Sequence, residues 1–201
     1  NNLIVTLDKA NEAVVLDRAS LTELRRYPTG ETPHVVAVSG EAVLVTDSRG
    51  DMLRQLEPGT KSIRTGGQPE GIAITGGYAA TADYLGGTLT VARAGDLSGA
   101  SSLSVGAAPV RVTALAGGQV LVSLQGRGEV ALVDLATLSV KRRLKTAARP
   151  DGLCVDPDGR NFAVASNHEG RVEVFSTEAW KSSLQINLDP GLGACLWLAG
   201  R

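Results

Sequence analysis

The sequence predicts an all-β fold made of repeated small antiparallel sheets, and three observations predict it. The first is composition. There are 24 glycines in 201 residues, 43% of residues are apolar and only 3% are aromatic. That mixture suits short strands joined by tight turns, whereas glycine is unfavourable inside helices. The second is a repeat in which a proline opens each short apolar run. The third is the length of the apolar runs, about four to seven residues, bounded by Gly, Pro, Asn and Asp, which is a strand signature.

The repeat is the strongest signal. Its copies open at Pro33, Pro69, Pro109, Pro150 and Pro190, spaced by 36, 40, 41 and 40 residues. Each opening run ends in a turn, at Gly40, Gly76-Gly77, Gly117-Gly118, Asp158-Gly159 and Gly200. A second run follows: Val43 to Thr46, Ala79 to Ala82, Val120 to Leu124 and Phe162 to Ser166, matched near the start of the chain by Leu3 to Leu7. Third runs span Ala13 to Leu16, Met52 to Leu56, Leu89 to Ala92, Val130 to Val133 and Val172 to Phe175. More polar fourth runs span Leu21 to Tyr27, Thr60 to Thr65, Ser101 to Val105, Ser139 to Thr146 and Ser183 to Leu188.

Four antiparallel strands per period of about 40 residues make the blade of a β-propeller. Helical repeats of similar period need 10 to 15 residues of 3.6-fold pattern per helix, and the glycine turns leave no room for them. The count gives about five blades in one domain spanning 1–201. The fifth blade is shared between the ends, the run near Leu192 to Leu198 pairing with the N-terminal blade. Closure of this kind removes two exposed sheet edges. A piece of a larger ring is the alternative.

Bulk chemistry excludes several classes. The formal net charge of −1 argues against a nucleic-acid binder, which needs a field of Lys and Arg. Arg25-Arg26 and Lys141-Arg142-Arg143 read as solvated strand edges. No apolar stretch reaches 18 residues, so no membrane span is expected. No metalloprotease helix motif, phosphate-binding loop, nucleophile elbow or zinc-binding cysteine spacing occurs. Asp156-Pro157-Asp158-Gly159 lacks the alternating ligands of a calcium loop and reads as a hairpin turn.

Blade topology places the starts of the first strands and the turns after the second strands on one face. The residues after the repeating prolines, His34, Glu70, Val110, Asp151 and Gly191, are expected to ring the channel mouth. Asp8, Asp47, Asp83, Gln125 and Asn167 are expected to form a wider ring, with His168 beside Asn167. The ligand-binding candidates are therefore His34, Glu70, Asp151, Asp8, Asp47, Asp83 and Asn167. Converging carboxylates and one imidazole suit a cation or cationic ligand. The competing reading is that Asp and Asn here bond to their own turns. Cys154 and Cys195 fall in neighbouring inner strands, where two buried thiols are the default and a disulfide the alternative. Trp197 is expected to pack in the core or between blades.

The copy from Arg149-Pro150-Asp151-Gly152-Leu153 through Asp156-Pro157-Asp158-Gly159 to Val164-Ala165-Ser166-Asn167 resembles the YVTN-type propeller repeat of bacteria and archaea, related in style to the NHL and YncE-like propellers. Val14-Val15-Leu16-Asp17 and Ala131-Leu132-Val133-Asp134 resemble its third strand. Met52-Leu53-Arg54-Gln55 and Val91-Ala92-Arg93 depart from it, and members commonly have seven blades. The resemblance implies a periplasmic or extracellular location and a binding or scaffolding role toward another protein. The motif residues are structural, so no catalytic residue transfers with it. A small ligand or cation at the mouth is the further expectation, no cofactor is implied, and a metal-assisted hydrolase or lyase is the alternative function.

Overall fold

The computed structural model describes residues 2–198, and its strands fall into five antiparallel sheets, or blades. Blade one holds β1 (Asn2–Leu7), β2 (Glu12–Asp17) and β3 (Glu23–Pro28). Blade two holds β4 (Pro33–Ser39), β5 (Ala42–Asp47), β6 (Met52–Glu57) and β7 (Lys61–Arg64). Blade three holds β8 (Pro69–Thr75), β9 (Tyr78–Asp83), β10 (Thr88–Arg93) and β11 (Ser101–Ser104). Blade four holds β12 (Pro109–Leu115), β13 (Gln119–Leu124), β14 (Glu129–Asp134) and β15 (Ser139–Lys145). Blade five holds β16 (Pro150–Val155), β17 (Asn161–Ser166), β18 (Arg171–Ser176) and β19 (Ser182–Asn187). Within every blade each strand pairs with the next in sequence, as short hairpin turns dictate.

Four of the five repeating prolines, Pro33, Pro69, Pro109 and Pro150, open an inner strand, and the residue before each is left-handed: Thr32, Gln68, Ala108 and Arg149 all have φ between 52° and 56°. The proline ring disfavours the right-handed helical region for its predecessor. The chain therefore turns sharply from one blade into the next at the same place in each repeat.

The core lies between blades. Four hydrophobic clusters are formed, one for each neighbouring pair. Blades one and two share Ala13, Val45 and Leu56. Blades two and three share Leu44, Leu53, Ile72 and Ala79. Blades three and four share Leu89, Val91, Val122 and Val133. Blades four and five share Leu121, Val130, Phe162 and Phe175. Strand alternation explains the division, since successive side chains point to opposite faces. Leu44 faces blade three while Val45 faces blade one, and Leu121 faces blade five while Val120 and Val122 face blade three.

Inner strands approach closely. A Cβ at Gly71 would collide with the carbonyl of Val110, and one at Gly152 with the carbonyl of Gly193. Side chains cross the same gaps. Thr6 Oγ1 donates to the His34 carbonyl (3.1 Å), Thr75 Oγ1 to that of Leu115 (2.7 Å) and Thr113 Oγ1 to that of Leu153 (3.0 Å).

Residues 192–198 follow blade five, and the ring-closing pair expected with β1 is not among the strand pairs of the described residues. This segment has no strand assignment. It is held instead against β16. Cys154 and Cys195 form a disulfide with Cα atoms 5.8 Å apart, and Trp197 Nε1 donates to the Cys154 carbonyl (3.3 Å). The default reading of two free thiols is thereby corrected. The two cysteines sit on facing inner segments, within the range a disulfide spans. Large apolar side chains stay exposed at both ends of the row of blades: Leu3 and Leu24 on blade one, Leu184 and Ile186 on blade five, and Leu196 and Leu198 beyond it. The turn expected at Gly200 lies outside the described residues.

The basic runs lie exposed on the outer strands β3 and β15, as solvated edges, and make surface ion pairs there. Arg26 pairs with Glu12 and Glu23, and Arg25 with Glu57. On blade four, Arg127, Arg143 and Lys145 converge on the buried Glu129. The hydrogen bond from Arg127 leads the effects that hold the Glu129 carboxyl down at about 2, against burial.

Two predictions follow from this architecture. Gly71→Ala should destabilise the protein by about 1–3 kcal/mol through overpacking. Gly95→Ala, where a Cβ meets nothing within 4 Å, should be nearly neutral, and denaturant unfolding of both variants checks the contrast. Because the Glu129 carboxyl is depressed from 4.5 to about 2 in the fold, its contribution is present above the unfolded value and is lost as pH falls through the folded one. Glu129→Gln should lower stability at neutral pH and flatten the decline between about pH 4.5 and 2, as thermal melts across that range would show.

Candidate functional site at the channel mouth

His34, Glu70 and Asp151 lie one residue past their prolines, where β4, β8 and β16 begin, and each of these strands shifts register just after its proline. The irregularity turns these side chains toward the neighbouring blade. His34 Nδ1 is 3.1 Å from the Glu70 carbonyl and 3.4 Å from Glu70 Oε2. A carbonyl oxygen cannot donate, so Nδ1 carries the proton in this contact. Glu70 Oε1 accepts from Ser48 Oγ (3.0 Å) and Gln68 Nε2 (2.8 Å). Asp151 Oδ2 accepts from Gln125 Nε2 (3.2 Å), and its Oδ1 lies 3.2 Å from Arg111 Nη2.

Arg111 was not foreseen. It occupies the position that is Gly71 in blade three and Gly152 in blade five, and that substitution was the available signal. Its guanidinium spans two blades, donating to the Glu70 carbonyl (3.4 Å) while pairing with Asp151. The mouth is therefore a mixed-charge belt running His34, Glu70, Arg111, Asp151. A fixed cation between two carboxylates works against a second cation. Among the described residues, no three His, Cys, Asp or Glu side chains are grouped so as to hold a metal ion.

The wider ring needs correcting. The second strands end opposite the prolines, with Asp47 paired to Pro33 and Asp83 to Pro69. Gln125 and Asn167 are one residue further on, since Leu124 and Ser166 face Pro109 and Pro150. One residue along a strand reverses the face. The matching set is Ser48, Tyr84, Gln125 and Asn167. Each backbone N–H of this set donates to the carbonyl before the proline, at 2.8 to 3.0 Å. Three of the four also send a side chain to the next inner segment: Ser48 to Glu70, Gln125 to Asp151 and Asn167 to the Leu192 carbonyl (2.9 Å).

Asp47 and Asp83 instead point into their blades and are fully buried. Asp83 accepts from Thr81 (2.7 Å), Thr88 (3.0 Å) and Thr90 (2.7 Å). Burial still pushes its carboxyl above the usual range. Asp47 meets Arg54 at 3.0 Å, and burial raises its carboxyl against that pairing. The backbone of the interblade linker, at Gly30 for Asp47 and Gly66 for Asp83, pulls each carboxyl back down. The two carboxylates lie against these linkers and do not reach the mouth. Asp8 is exposed and opens a short 3-10 turn, Asp8–Ala10, and the pairing of Leu7 with Glu12 gives it the same register as Ser48, Tyr84, Gln125 and Asn167. His168 is exposed beside Asn167.

The belt opens on a cavity of about 540 Å³ between blades two and three. His34, Ser48, Gln68 and Glu70 line it on one side, with Arg49 and the exposed Leu85 at its rim. It combines donors, acceptors, the charged Arg49 and Asp51 and one apolar finger, a mixed lining of the kind ligand clefts have.

No protein-family model and no curated protein sequence matches the chain. Solved structures do match in fold. A functionally unknown protein from Desulfotomaculum acetoxidans superposes with a TM-score of 0.80 at 16% identity, over 96% of this chain and 68% of that one. Kuenenia stuttgartiensis hydrazine synthase gives 0.80 at 18%, over 94% and 63%. A catalytically inactive variant of virginiamycin B lyase from Staphylococcus aureus, with quinupristin, gives 0.83 at 12%, over 96% and 69%. The chain thus spans about two thirds of the length of these three structures. At such identities the likeness shows the β-propeller fold and nothing finer.

Proposed function

We propose that this chain is a non-catalytic binding or scaffolding propeller, a single YVTN-type repeat domain over residues 1–201 that presents its channel-mouth face to a protein partner. The observation that carries this reading is the engagement of the mouth's reactive groups. Glu70 is held by Ser48, Gln68 and His34, and Asp151 by Arg111 and Gln125. A general base or metal ligand needs a lone pair turned toward substrate, and here Glu70 Oε1 and Asp151 Oδ2 accept from neighbouring side chains while Asp151 Oδ1 lies within ion-pair distance of Arg111. Solved propellers of similar fold include enzymes and a protein of unknown function, so the choice rests on the mouth. The belt fixes the positions of exposed rim residues such as Arg49 and Leu85 for contact with a partner. The Cys154–Cys195 disulfide supports a periplasmic or extracellular location, because disulfides persist in oxidising compartments. Among the described residues no helix is long and apolar enough to cross a membrane.

Affinity purification from the source cell, paired with elemental analysis, tests the proposal. The expected result is a stoichiometric partner chain that is lost from an Arg49→Glu, Leu85→Asp variant, together with no stoichiometric metal. One equivalent of metal that disappears in His34→Ala and Asp151→Ala would overturn it in favour of a metal-assisted hydrolase or lyase. The belt itself should behave as structure: Arg111→Met leaves Asp151 without its cation and should cost about 1–3 kcal/mol. Adding Asp151→Asn should recover part of that loss in a double-mutant cycle followed by denaturant unfolding.

A further inference from the structure

The opposite face carries a larger cavity, of about 680 Å³, at the junction of blades four and five. Its floor is apolar. Leu115, Leu132, Val155 and Trp180 line it, and all four belong to or pack against the cluster shared by these blades. Blade five builds one wall with a longer first turn than its neighbours have, Asp156-Pro157-Asp158-Gly159, where the other blades turn on one or two glycines. That wall is braced. Thr177 Oγ1 donates to the carbonyls of Gly159 (2.8 Å) and Arg160 (2.9 Å), and the Thr177 N–H also reaches Arg160 (2.9 Å). Two hairpin turns are thus locked together, and a cavity held open in this way avoids an ordering cost on binding.

Charge sets what it can hold. Asp156, Asp158 and Glu178 line the cavity, and no Lys, Arg or His does. Asp156 is occupied by its own turn, accepting from Arg160 N–H and Asn161 Nδ2, both at 2.8 Å. Asp158 and Glu178 are exposed, and among the described residues neither has an ion-pair partner. Trp180 already accepts a cation, with the Arg142 guanidinium 5.8 Å from its ring. Arg142 also donates to the Glu178 carbonyl (3.4 Å) at the cavity's edge, without pairing with either carboxylate. An apolar floor beneath these two carboxylates complements a side chain that is greasy along its length and positive at its tip.

We propose that this cavity is a second docking site, and that its occupant is a basic segment of a partner protein in which Arg or Lys alternates with aliphatic residues. The aliphatic side chains enter over Leu132 and Trp180, and the cationic groups meet Asp158 and Glu178. The site lies on the face away from the mouth, so the propeller can hold two partners at once.

The test uses an acetylated hexapeptide of alternating leucine and arginine, with a leucine–glutamate hexapeptide as control. Trp197→Phe leaves Trp180 as the only indole reporter, and calorimetry on the unmodified chain provides the same reading should that substitution perturb folding. The expected result is saturable binding of the arginine peptide. Binding should weaken at least tenfold in Asp158→Asn, Glu178→Gln and stay unchanged in His34→Ala. Equal binding of the glutamate peptide, unchanged affinity in the double variant, or no saturable binding in either assay would overturn the proposal.

Discussion

The structure depends on one contact made repeatedly, the packing of each blade's face against the next. A four-stranded sheet of this size cannot bury its apolar side chains alone. Here the second strands of the three middle blades, β5, β9 and β13, give alternate residues to two different cores, as Leu44 and Val45 do. The glycines at Gly71 and Gly152 let the inner strands come close enough for those cores to seal. The linkers, the buried Asp47 and Asp83, and the left-handed residue before each proline all serve to deliver the next blade at the right distance.

The mouth belt is a polar continuation of the same contact. Where inner strands meet at the channel they have no room for large apolar groups, and the chain uses hydrogen bonds between adjacent blades instead. Ser48, Gln125 and Asn167 each reach forward by one blade. These bonds tie each blade's mouth residues to the next. Arg111 joins them by bridging the Glu70 carbonyl and the Asp151 carboxylate.

The strands were legible in the sequence because periodicity and turn glycines are local signals. The second run expected at Val43 to Thr46 became Ala42–Asp47, and the fourth at Ser139 to Thr146 became Ser139–Lys145. The candidate site was legible only in part. His34 and Glu70 do meet. Asp47 and Asp83 were grouped with Gln125 and Asn167 although the register sets them one residue apart, and that difference exchanges a buried linker clamp for a surface group. A bulge is a matter of hydrogen-bond register, which residue types do not display. The disulfide and the Arg111 bridge depend on which inner segments face each other, and that is a property of the assembled row of blades.

If interblade packing is the source of stability, no blade should open by itself. Native-state hydrogen exchange under increasing denaturant tests this most directly, read at the amides of the second strands β5, β9 and β13. The account predicts that their opening free energies converge on a single global value, since each strand serves two cores. Separate plateaus, with one blade exchanging well below its neighbours while they stay protected, would contradict it.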